Sequence, residues 1–361
     1  MYRYLARRLT YFEAIFSIQN KGISVNDLSA QRMCRADDLS SDRKWRRIHK
    51  IAVIGAAFIA GYLFSLWLLD AYYLGDPEHY ARFYYSMYGV NPEHWGSLQK
   101  SHLGSAEPFY RYIVGVPAYF GVDRIEYIAV WNGIFTSIIG YILLNYRSSI
   151  IFSVCVFTNY YFIILLGSAE RLKFSYIFLA LAVCLGKPWK KYLASIISVF
   201  FHTQALIQFI SSFAYYAAKN YKQFLSSPMR ILFVSLGVVI SLALAGYLFL
   251  GSVGDVVAAK SAGYSERSGG ISEVVQWFLL LIVGVYVFRD KIAIICGMLP
   301  MGLFTFMYGN RVNVATFAFF AIMAMAHRKT NSPWILMVMA YMSFKSIHFI
   351  QDIIQFGTGY P

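Results

Sequence analysis

Residues 51–72 read IAVIGAAFIAGYLFSLWLLDAY and follow a basic stretch, 43–47, that reads RKWRR. An apolar helix of this length crosses about 30 Å of hydrocarbon, since it rises about 1.5 Å per residue. Basic residues beside a span stay on the cytoplasmic side of the membrane. Together the two stretches predict a first membrane span whose N-terminal side is cytoplasmic.

The composition of the whole chain agrees with a membrane protein. Of 361 residues, 58% are hydrophobic and only 14% are charged. A soluble domain of this size has no core large enough for so much apolar surface, so the expected partner is the lipid bilayer. The formal net charge of +14 is expected to lie mainly in cytoplasmic loops, and a nucleic-acid partner is not predicted.

Further apolar segments have about the length of a span. The candidate spans are 51–72, 125–146, 149–167, 170–187, 230–250, 272–289, 291–308, 312–326 and 333–356. Basic clusters separate several of them, and all are expected in the cytoplasm: Arg147, Lys187 to Lys191, Arg289 with Lys291, and His327 to Lys329. We predict an all-α polytopic bundle of about nine to eleven helices that cross or enter the membrane.

Residues 192–217 lie between two basic stretches, so a single crossing would invert every later loop. Two full crossings need roughly 40 residues, more than this segment has. We therefore expect two short half-helices that enter and return, bent near His202, Thr203 and Gln204, as is tolerated where the broken backbone lines a cavity. An ordinary single span with a basic outer loop is the alternative.

The parts outside the spans differ from one another. Residues 1–50 form a basic cytoplasmic tail, either an amphipathic helix on the inner leaflet or a partly disordered segment. Two polar loops, 73–106 and 251–271, are expected on the periplasmic face. In the first, Asp76 and Asn91 each precede a proline and are expected to cap short helices. Residues 107–120 are too short to span and suit an interfacial or re-entrant helix.

Two arginines are placed to bind an anion. Arg171 opens the predicted helix RLKFSYIFLALAVCLG, and Arg311 opens another on the same outer face, with Asn310 as its cap. Helix N-termini that carry guanidinium groups suit a di-anion such as pyrophosphate. Lipid headgroup contact is the alternative for each arginine. Arg267 lies in a Gly-rich outer loop that suits either a substrate lid or a solvated linker.

Three further side chains are candidates for acid–base chemistry. Glu107 precedes Pro108 at a helix start, although Glu is not a favoured N-cap, so another interaction is expected for its carboxylate. Asp76 is either a cap or a functional carboxylate, and His202 is either a core residue or part of a cavity. Each could remove a proton from a sugar hydroxyl. No Cys or His spacing supports a metal site, and no cofactor is predicted.

The order of these features resembles the EpsG-like branch of the Wzy-type O-antigen and exopolysaccharide polymerases. The matching pieces follow the first span and occur in this order: Asp76 with Tyr80, Glu107-Pro108-Phe109, Arg171, His202 in FFHTQAL, and Gly309 with Arg311. Each piece is short, and together they cover most of the chain after residue 50. The basic tail of fifty residues departs from the compact start expected of the family.

The resemblance implies a GT-C-like membrane glycosyltransferase formed by residues 51–361, in the bacterial inner membrane with its active face periplasmic. It implies neither a nucleotide-sugar site nor an obligatory metal. The substrates would be undecaprenyl-pyrophosphate-linked oligosaccharides, and a chain-length-regulating membrane protein is a candidate partner. Arg171, Arg311 and Arg267 would bind pyrophosphate, Tyr80 and Asn310 would help to bind substrate, and Glu107, Asp76 or His202 would activate the acceptor hydroxyl.

Other classes of membrane protein remain open. A glycan ligase is chemically close to a polymerase, and the sequence hardly separates the two. A flippase or other transporter of lipid-linked oligosaccharides would also need a cationic cavity, with internal repeats and charges through the depth of the membrane. A membrane-bound acyltransferase could use His202 as its base, but its charged cluster is expected on the inner face.

Overall fold

A computed structural model describes residues 25–104, 107–202, 204–221, 270–308 and 310–359, and every regular element in these ranges is a helix. The predicted all-α class is thus confirmed. The α-helices are α1 Val25–Ala71, α2 Asp76–Ser86, α3 Trp95–Leu103, α4 Pro108–Tyr119, α5 Arg124–Asn145, α6 Ile150–Phe157, α7 Tyr160–Gly167, α8 Glu170–Cys184, α9 Pro188–Phe201, α10 Ala205–Lys219, α11 Gly270–Val287, α12 Lys291–Tyr308, α13 Asn310–Ala326 and α14 Pro333–Phe356. A short 3-10 helix, Pro92–His94, precedes α3.

The chain divides into two compact units, Met1–Val53 and Ile54–Pro361. The described part of the first unit is the beginning of α1. The second unit holds α2 to α14 and the hydrophobic core. The amphipathic helix expected near the N-terminus, the candidate span 230–250 and most of the loop 251–271 lie outside the described residues.

Three described helices are long and apolar enough to cross a membrane: Ile48–Ala71, Arg124–Asn145 and Pro333–Phe356. The pair α6 and α7, bent by 41° between them, makes a fourth if it counts as one span. The predicted nine to eleven membrane helices are not confirmed, because α8 has only 15 residues and the apolar parts of α11, α12 and α13 are also shorter than a full span.

Helix α7 is the centre of the second unit, since every residue from Tyr160 to Gly167 is buried. A short helix that is apolar on all sides can be stable only when other helices surround it. The bend that precedes α7 leaves backbone groups without helical partners. The side chain of Asn159 satisfies one of them by accepting a hydrogen bond from the Tyr161 amide at 2.8 Å. From α14, Ser346 Oγ donates to the Thr158 carbonyl at 2.7 Å. The break in the span is therefore satisfied inside the protein.

The short outer helices form as the sequence predicts, with one correction. Asn91 does act as an N-cap, because its side chain accepts a bond from the Glu93 amide at 3.1 Å. Asp76 does not: Gly75 is the N-cap residue of α2, with φ of 77°, and Asp76 is the first helical residue. A positive φ suits glycine, and a carboxylate in the first turn still interacts favourably with the helix dipole.

Several basic loops meet at one end of the helix bundle, here called the basic end. Ser149 Oγ donates to the Thr330 carbonyl at 3.1 Å, which joins the loop after α5 to the loop after α13. Asp290, between α11 and α12, pairs with Lys219 Nζ at 2.7 Å and lies 3.9 Å from His327 Nε2. The hydrogen bond from Lys219 lowers the pKa of Asp290. The loops that hold Arg147, Arg289 and Arg328 therefore lie close together.

Helices α9 and α10 form the predicted pair of short helices, with the break at His202. Lys219, at the last residue of α10, is held at the basic end by Asp290. Phe201, at the last residue of α9, stacks on Phe178 with ring centroids 5.1 Å apart and packs against Phe109 at the start of α4. The tip of the pair thus lies far from the basic end. The break is confirmed, and the re-entrant course through the membrane stays a prediction.

Small residues bring α1 and α5 into close contact. A Cβ atom on Gly61 would come within 2.6 Å of Thr136 Cβ, and one on Gly133 would come within 3.0 Å of the Phe58 carbonyl oxygen. Helices that pack in lipid commonly meet through such residues, because small side chains allow the backbones to approach. The contact fixes the first span against the helix that carries Arg124.

We expect Gly61→Ala to lower the unfolding temperature in detergent, because the added methyl group overpacks the contact with Thr136 at a cost of about 1–3 kcal/mol. Gly55→Ala is the matched control, since no atom lies within 4 Å of a Cβ at Gly55. Both changes gain the same helix propensity, so the difference isolates the packing cost. Equal unfolding temperatures would contradict the close contact.

The re-entrant course predicts that both ends of the α9 and α10 pair are on one side of the membrane. In a background without native cysteines, Lys187→Cys and Asn220→Cys should react with an impermeant thiol reagent from the same side. Ser97→Cys, in α3, should react from the opposite side. Labelling of Asn220→Cys from the side that labels Ser97→Cys would favour the single crossing instead.

Candidate functional site

The centre of the candidate site is an ion pair between the starts of two helices. Arg171, the second residue of α8, donates from Nη1 to both carboxylate oxygens of Glu107, at 2.8 and 3.0 Å. Its Nε donates to the Tyr80 hydroxyl at 3.3 Å. The side chain of Arg171 is 7% exposed and that of Glu107 is 11% exposed. The structure thus brings together three residues that the sequence analysis selected separately.

Glu107 is the N-cap residue of α4, but its side chain makes no capping hydrogen bond. Its carboxylate faces Arg171 instead, and Gln99 Nε2 of α3 also donates to it at 3.4 Å. The expectation that something other than capping requires this carboxylate is confirmed. Arg171 is buried in an internal ion pair, as a buried cation requires, and its binding of a pyrophosphate at the outer face stays a prediction.

A second buried ion pair lies beside the first. Arg124, the first residue of α5, pairs with Glu170, the first residue of α8. The Tyr110 hydroxyl donates to the other Glu170 oxygen at 2.9 Å. Burial, followed by the Glu170 charge, raises the pKa of Tyr110, which therefore remains a hydrogen-bond donor. Because Glu170 and Arg171 are neighbours in sequence, one helix start holds both pairs.

Lys173 adds a third cation to the first turn of α8. Its side chain is fully buried, and Nζ has no hydrogen-bond partner among the described residues. Three basic side chains in the first turns of two helices oppose the positive ends of the helix dipoles. Glu107 and Glu170 offset two of these charges. The buried cluster of Glu107, Arg124, Glu170, Arg171 and Lys173, here called the charged cluster, has one more basic than acidic side chain.

His202 lies at the tip of the α9 and α10 pair. Its Nδ1 accepts a bond from the Gln204 amide at 3.1 Å, which satisfies backbone at the break. The tip approaches the site through Phe109, whose ring stacks on Phe200 with centroids 5.1 Å apart. His202 therefore follows directly on the phenylalanines that pack against Phe109, and its role in proton transfer stays a prediction.

The remaining candidate residues are only partly described. Asp76 lies one turn before Tyr80 on α2, and its role as a base stays a prediction. Helix α13 begins at Asn310, so Arg311 is in its first turn as expected. The side chains of Asn310 and Arg311 lie outside the described part of the chain, as does Arg267. The predicted pairing of Arg171 with Arg311 around one anion therefore stays a prediction.

Sequence reasoning did not select four residues of this region: Arg124, Tyr110, Glu170 and Lys173. Glu170 and Lys173 flank Arg171 in an otherwise apolar segment, and ionisable residues at such places are costly and tend to be functional. That signal could have found both. Arg124 and Tyr110 carried no comparable signal. Each lies near the start of a helix, next to a loop, where a polar side chain is common.

An apolar crevice of about 120 Å³ lies between the helices that follow the charged cluster. Its walls come from α5, α7, α8 and α13 and include Phe135, Leu165, Ala180 and Phe317. Tyr176 also lines it, and its buried hydroxyl has no hydrogen-bond partner among the described residues. Lys173 and Tyr176 are three residues apart and therefore lie on the same side of α8. The crevice is apolar enough for a hydrocarbon chain.

A second polar group forms around Gln276 and includes Tyr161 of α7, which also lines the crevice. Lys345, within the candidate span α14, donates to Gln276 Oε1 at 3.4 Å and lies 4.3 Å from the centre of the Tyr160 ring. The Tyr161 hydroxyl donates to the same oxygen at 2.7 Å. Glu273, one turn before Gln276, is also buried. Glu273 and Lys345 thus place ionisable groups inside the protein near α7 as well.

Comparison of the chain with protein-family models, with curated proteins and with solved structures found no match. The site is accordingly interpreted from its own geometry.

We expect Arg124→Ala to destabilise the protein by about 3–5 kcal/mol, because it leaves the buried Glu170 carboxylate without its ion pair. The matched change Arg82→Ala breaks an ion pair with Glu78 in which Arg82 is 62% exposed, and should cost at most about 1 kcal/mol. Chemical unfolding in mild detergent measures both. Similar losses of unfolding free energy for the two variants would show that the buried ion pair stabilises the protein no more than the exposed one.

Proposed function

We propose that the protein is a membrane glycosyltransferase that joins lipid-linked oligosaccharide repeat units, in the manner of a Wzy-type polysaccharide polymerase. The observation that carries this proposal is the charged cluster, where a carboxylate, a guanidinium and an unpaired lysine meet at a helix N-terminus beside an apolar crevice. Cations and helix amides suit a pyrophosphate leaving group. A nearby carboxylate suits the activation of a sugar hydroxyl.

In the proposed reaction, the hydroxyl oxygen of the acceptor sugar attacks the anomeric carbon of the donor glycan. A new carbon–oxygen bond forms, and the bond between that carbon and the pyrophosphate oxygen breaks. The electron pair leaves with undecaprenyl pyrophosphate, and the hydroxyl proton goes to the carboxylate of Glu107. Stabilisation of the departing pyrophosphate by Arg171 is expected to be the largest contribution to catalysis. Arg311 and Arg267 are proposed to assist it.

The surroundings of the charged cluster support a lipid-linked substrate. Helices long enough to span a membrane include α5, which begins at Arg124 of the cluster. The crevice has apolar walls, which suit the first units of a prenyl chain. Each buried CH₂ group contributes roughly 0.8 kcal/mol, so a few such groups would add measurably to affinity. An inner-membrane location with a periplasmic active face is part of this proposal.

A flippase for lipid-linked oligosaccharides is the second candidate, and one observation favours it. Lys345 and Glu273 are ionisable groups at depth, beside the broken pair α6 and α7, and transporters commonly build substrate sites at broken helices. A glycan ligase shares the chemistry proposed for the polymerase and differs only in the acceptor. The products formed by the purified protein separate these possibilities.

The proposal is tested by incubating the purified protein in nanodiscs with undecaprenyl-pyrophosphate-linked repeat units and separating the glycans on a gel. A ladder spaced by one repeat unit is expected from the native protein. Arg171→Lys keeps the charge but loses the two-bond contact with the carboxylate, so its rate should fall by about tenfold or more. Lys187→Ala, an exposed basic residue away from the charged cluster, should form the ladder normally.

The unfolding temperature of each variant separates loss of activity from loss of fold. Absence of a ladder from well-folded native protein would reject the polymerase. Transfer of whole chains to a different acceptor would then indicate a ligase, and movement of the lipid-linked unit across the vesicle without bond formation would indicate a flippase.

A further inference from the structure

Two loops at the basic end have an uncommon backbone conformation. Arg147 follows α5 with φ of 51°, and Arg328 follows α13 with φ of 54°. Apart from glycines, these are the residues with positive φ in the described part of the chain. Glycine is the usual residue at such a position after a helix, because a side chain there strains the backbone. Two arginines in place of glycine indicate that their side chains are needed.

The two loops have the same pattern of hydrogen bonds. In each, the arginine amide donates to the carbonyl three residues back and the next amide donates to the carbonyl five residues back, at 2.8 to 3.1 Å. This is the pattern of a Schellman motif. Two residues after each arginine, Ser149 Oγ donates to the Thr330 carbonyl at 3.1 Å, and the Ser149 amide donates to Thr330 Oγ1 at 3.3 Å. The backbones that carry Arg147 and Arg328 are thus fixed to each other.

The surface around the two arginines is strongly basic. Asp290, in the loop between α11 and α12, lies 3.9 Å from His327, the residue before Arg328. Asp290 is paired with Lys219 and so leaves the other charges of these loops uncompensated. In the described part of the chain, five basic side chains of the three loops are exposed and form no ion pair: Arg147, Arg289, Lys291, Arg328 and Lys329.

Apolar and aromatic side chains are exposed directly beside these basic ones. Ile150, the first residue of α6, is 82% exposed, and Ile292, the second residue of α12, is 74% exposed. Tyr286 and Trp334 are also exposed, with ring centroids 5.6 Å apart. Aromatic side chains collect at the level of lipid headgroups. A partner with an anionic head and an apolar chain would cover both kinds of surface, whereas a water-soluble anion would leave the isoleucines in water.

We propose that the loops after α5 and α13 bind the phosphate of an anionic phospholipid, with Arg147 and Arg328 as its main contacts. A guanidinium group offers two parallel hydrogen bonds to a phosphate, which an ammonium group cannot do. Basic pockets between membrane helices bind lipid headgroups in this way. The acyl chains of the lipid would lie along Ile150 and Ile292. The site is separate from the charged cluster and does not depend on the reaction proposed above.

Attraction to the helix dipoles is the competing explanation for the two arginines. A cation near a helix C-terminus stabilises the helix, and both arginines follow such an end. That interaction does not require a positive φ, because a basic residue in the last helical turn gains it without strain. The two explanations therefore predict opposite effects on stability when the arginines are replaced by glycine.

The double variant Arg147→Gly with Arg328→Gly tests this difference in full-length protein. In nanodiscs of phosphatidylcholine, its unfolding temperature should equal or exceed that of the native protein, because glycine adopts a positive φ without strain. Phosphatidylglycerol in the nanodiscs should raise the unfolding temperature of the native protein more than that of the variant, since a ligand stabilises the state that binds it. A lower unfolding temperature of the variant in phosphatidylcholine would assign the arginines to the helix ends and overturn the proposal.

Native mass spectrometry of the same proteins in micelles of detergent and lipid measures binding directly. The affinity for phosphatidylglycerol should fall about tenfold in the glycine double variant. Arg82→Gln with Lys100→Gln is the matched control, since it removes two exposed positive charges from α2 and α3, and it should bind as the native protein does. Glycerol 3-phosphate, a headgroup without chains, should not displace the lipid. Displacement would assign the site to a free phosphate compound and overturn the lipid.

A second pair of substitutions applies if the glycine variant does not fold. Arg147→Asn with Arg328→Asn also removes both charges, and asparagine tolerates a positive φ better than most residues do. The same loss of phosphatidylglycerol binding is expected. Equal binding of phosphatidylglycerol by the native protein and a well-folded double variant would overturn the proposal.

Discussion

The need to neutralise buried charge governs the arrangement of this protein's polar end. Arg171 and Glu107 join the starts of α8 and α4, and Glu170 with Arg124 joins α8 to α5. In surroundings with little water, a cation without its anion would be far costlier than in a soluble protein. Each of these helices must therefore begin where its charged residue meets its partner, and the starts of α4, α5 and α8 lie together as a result.

The opposite constraint acts in the apolar middle, where backbone groups need partners. Helix α7 is surrounded by other helices, and the break before it is satisfied by Asn159 and by serines of α14. At the basic end, Lys219, Asp290 and His327 join loops that are distant in sequence. The protein thus combines an ion-paired end, an apolar centre and a basic end, an arrangement that suits a membrane.

Some residues of the candidate site could be selected from the sequence, but the contacts between them could not. Glu107 was identified because its type is unfavourable at a helix cap, Arg171 because it opens an apolar helix, and Tyr80 because of its spacing from Asp76. All three meet in the structure. Their relation was not predictable, since Arg171 was expected to face an outside anion and instead binds an internal carboxylate. Lys173 was overlooked because a lysine near the end of an apolar segment is commonly interpreted as a membrane-surface residue.

The sequence by itself determined the helical class, most helix boundaries and the break at His202, because hydrophobic periodicity, segment length and the positions of polar and basic residues are read directly from the chain. It also determined which residues carry charge within apolar segments. Only the tertiary structure decided which of those charges are paired, that Gly75 rather than Asp76 caps α2, and which described helices are long and apolar enough to cross a membrane. Pairing and burial depend on contacts between residues as far apart as Glu107 and Arg171, and local patterns contain no information on such distances.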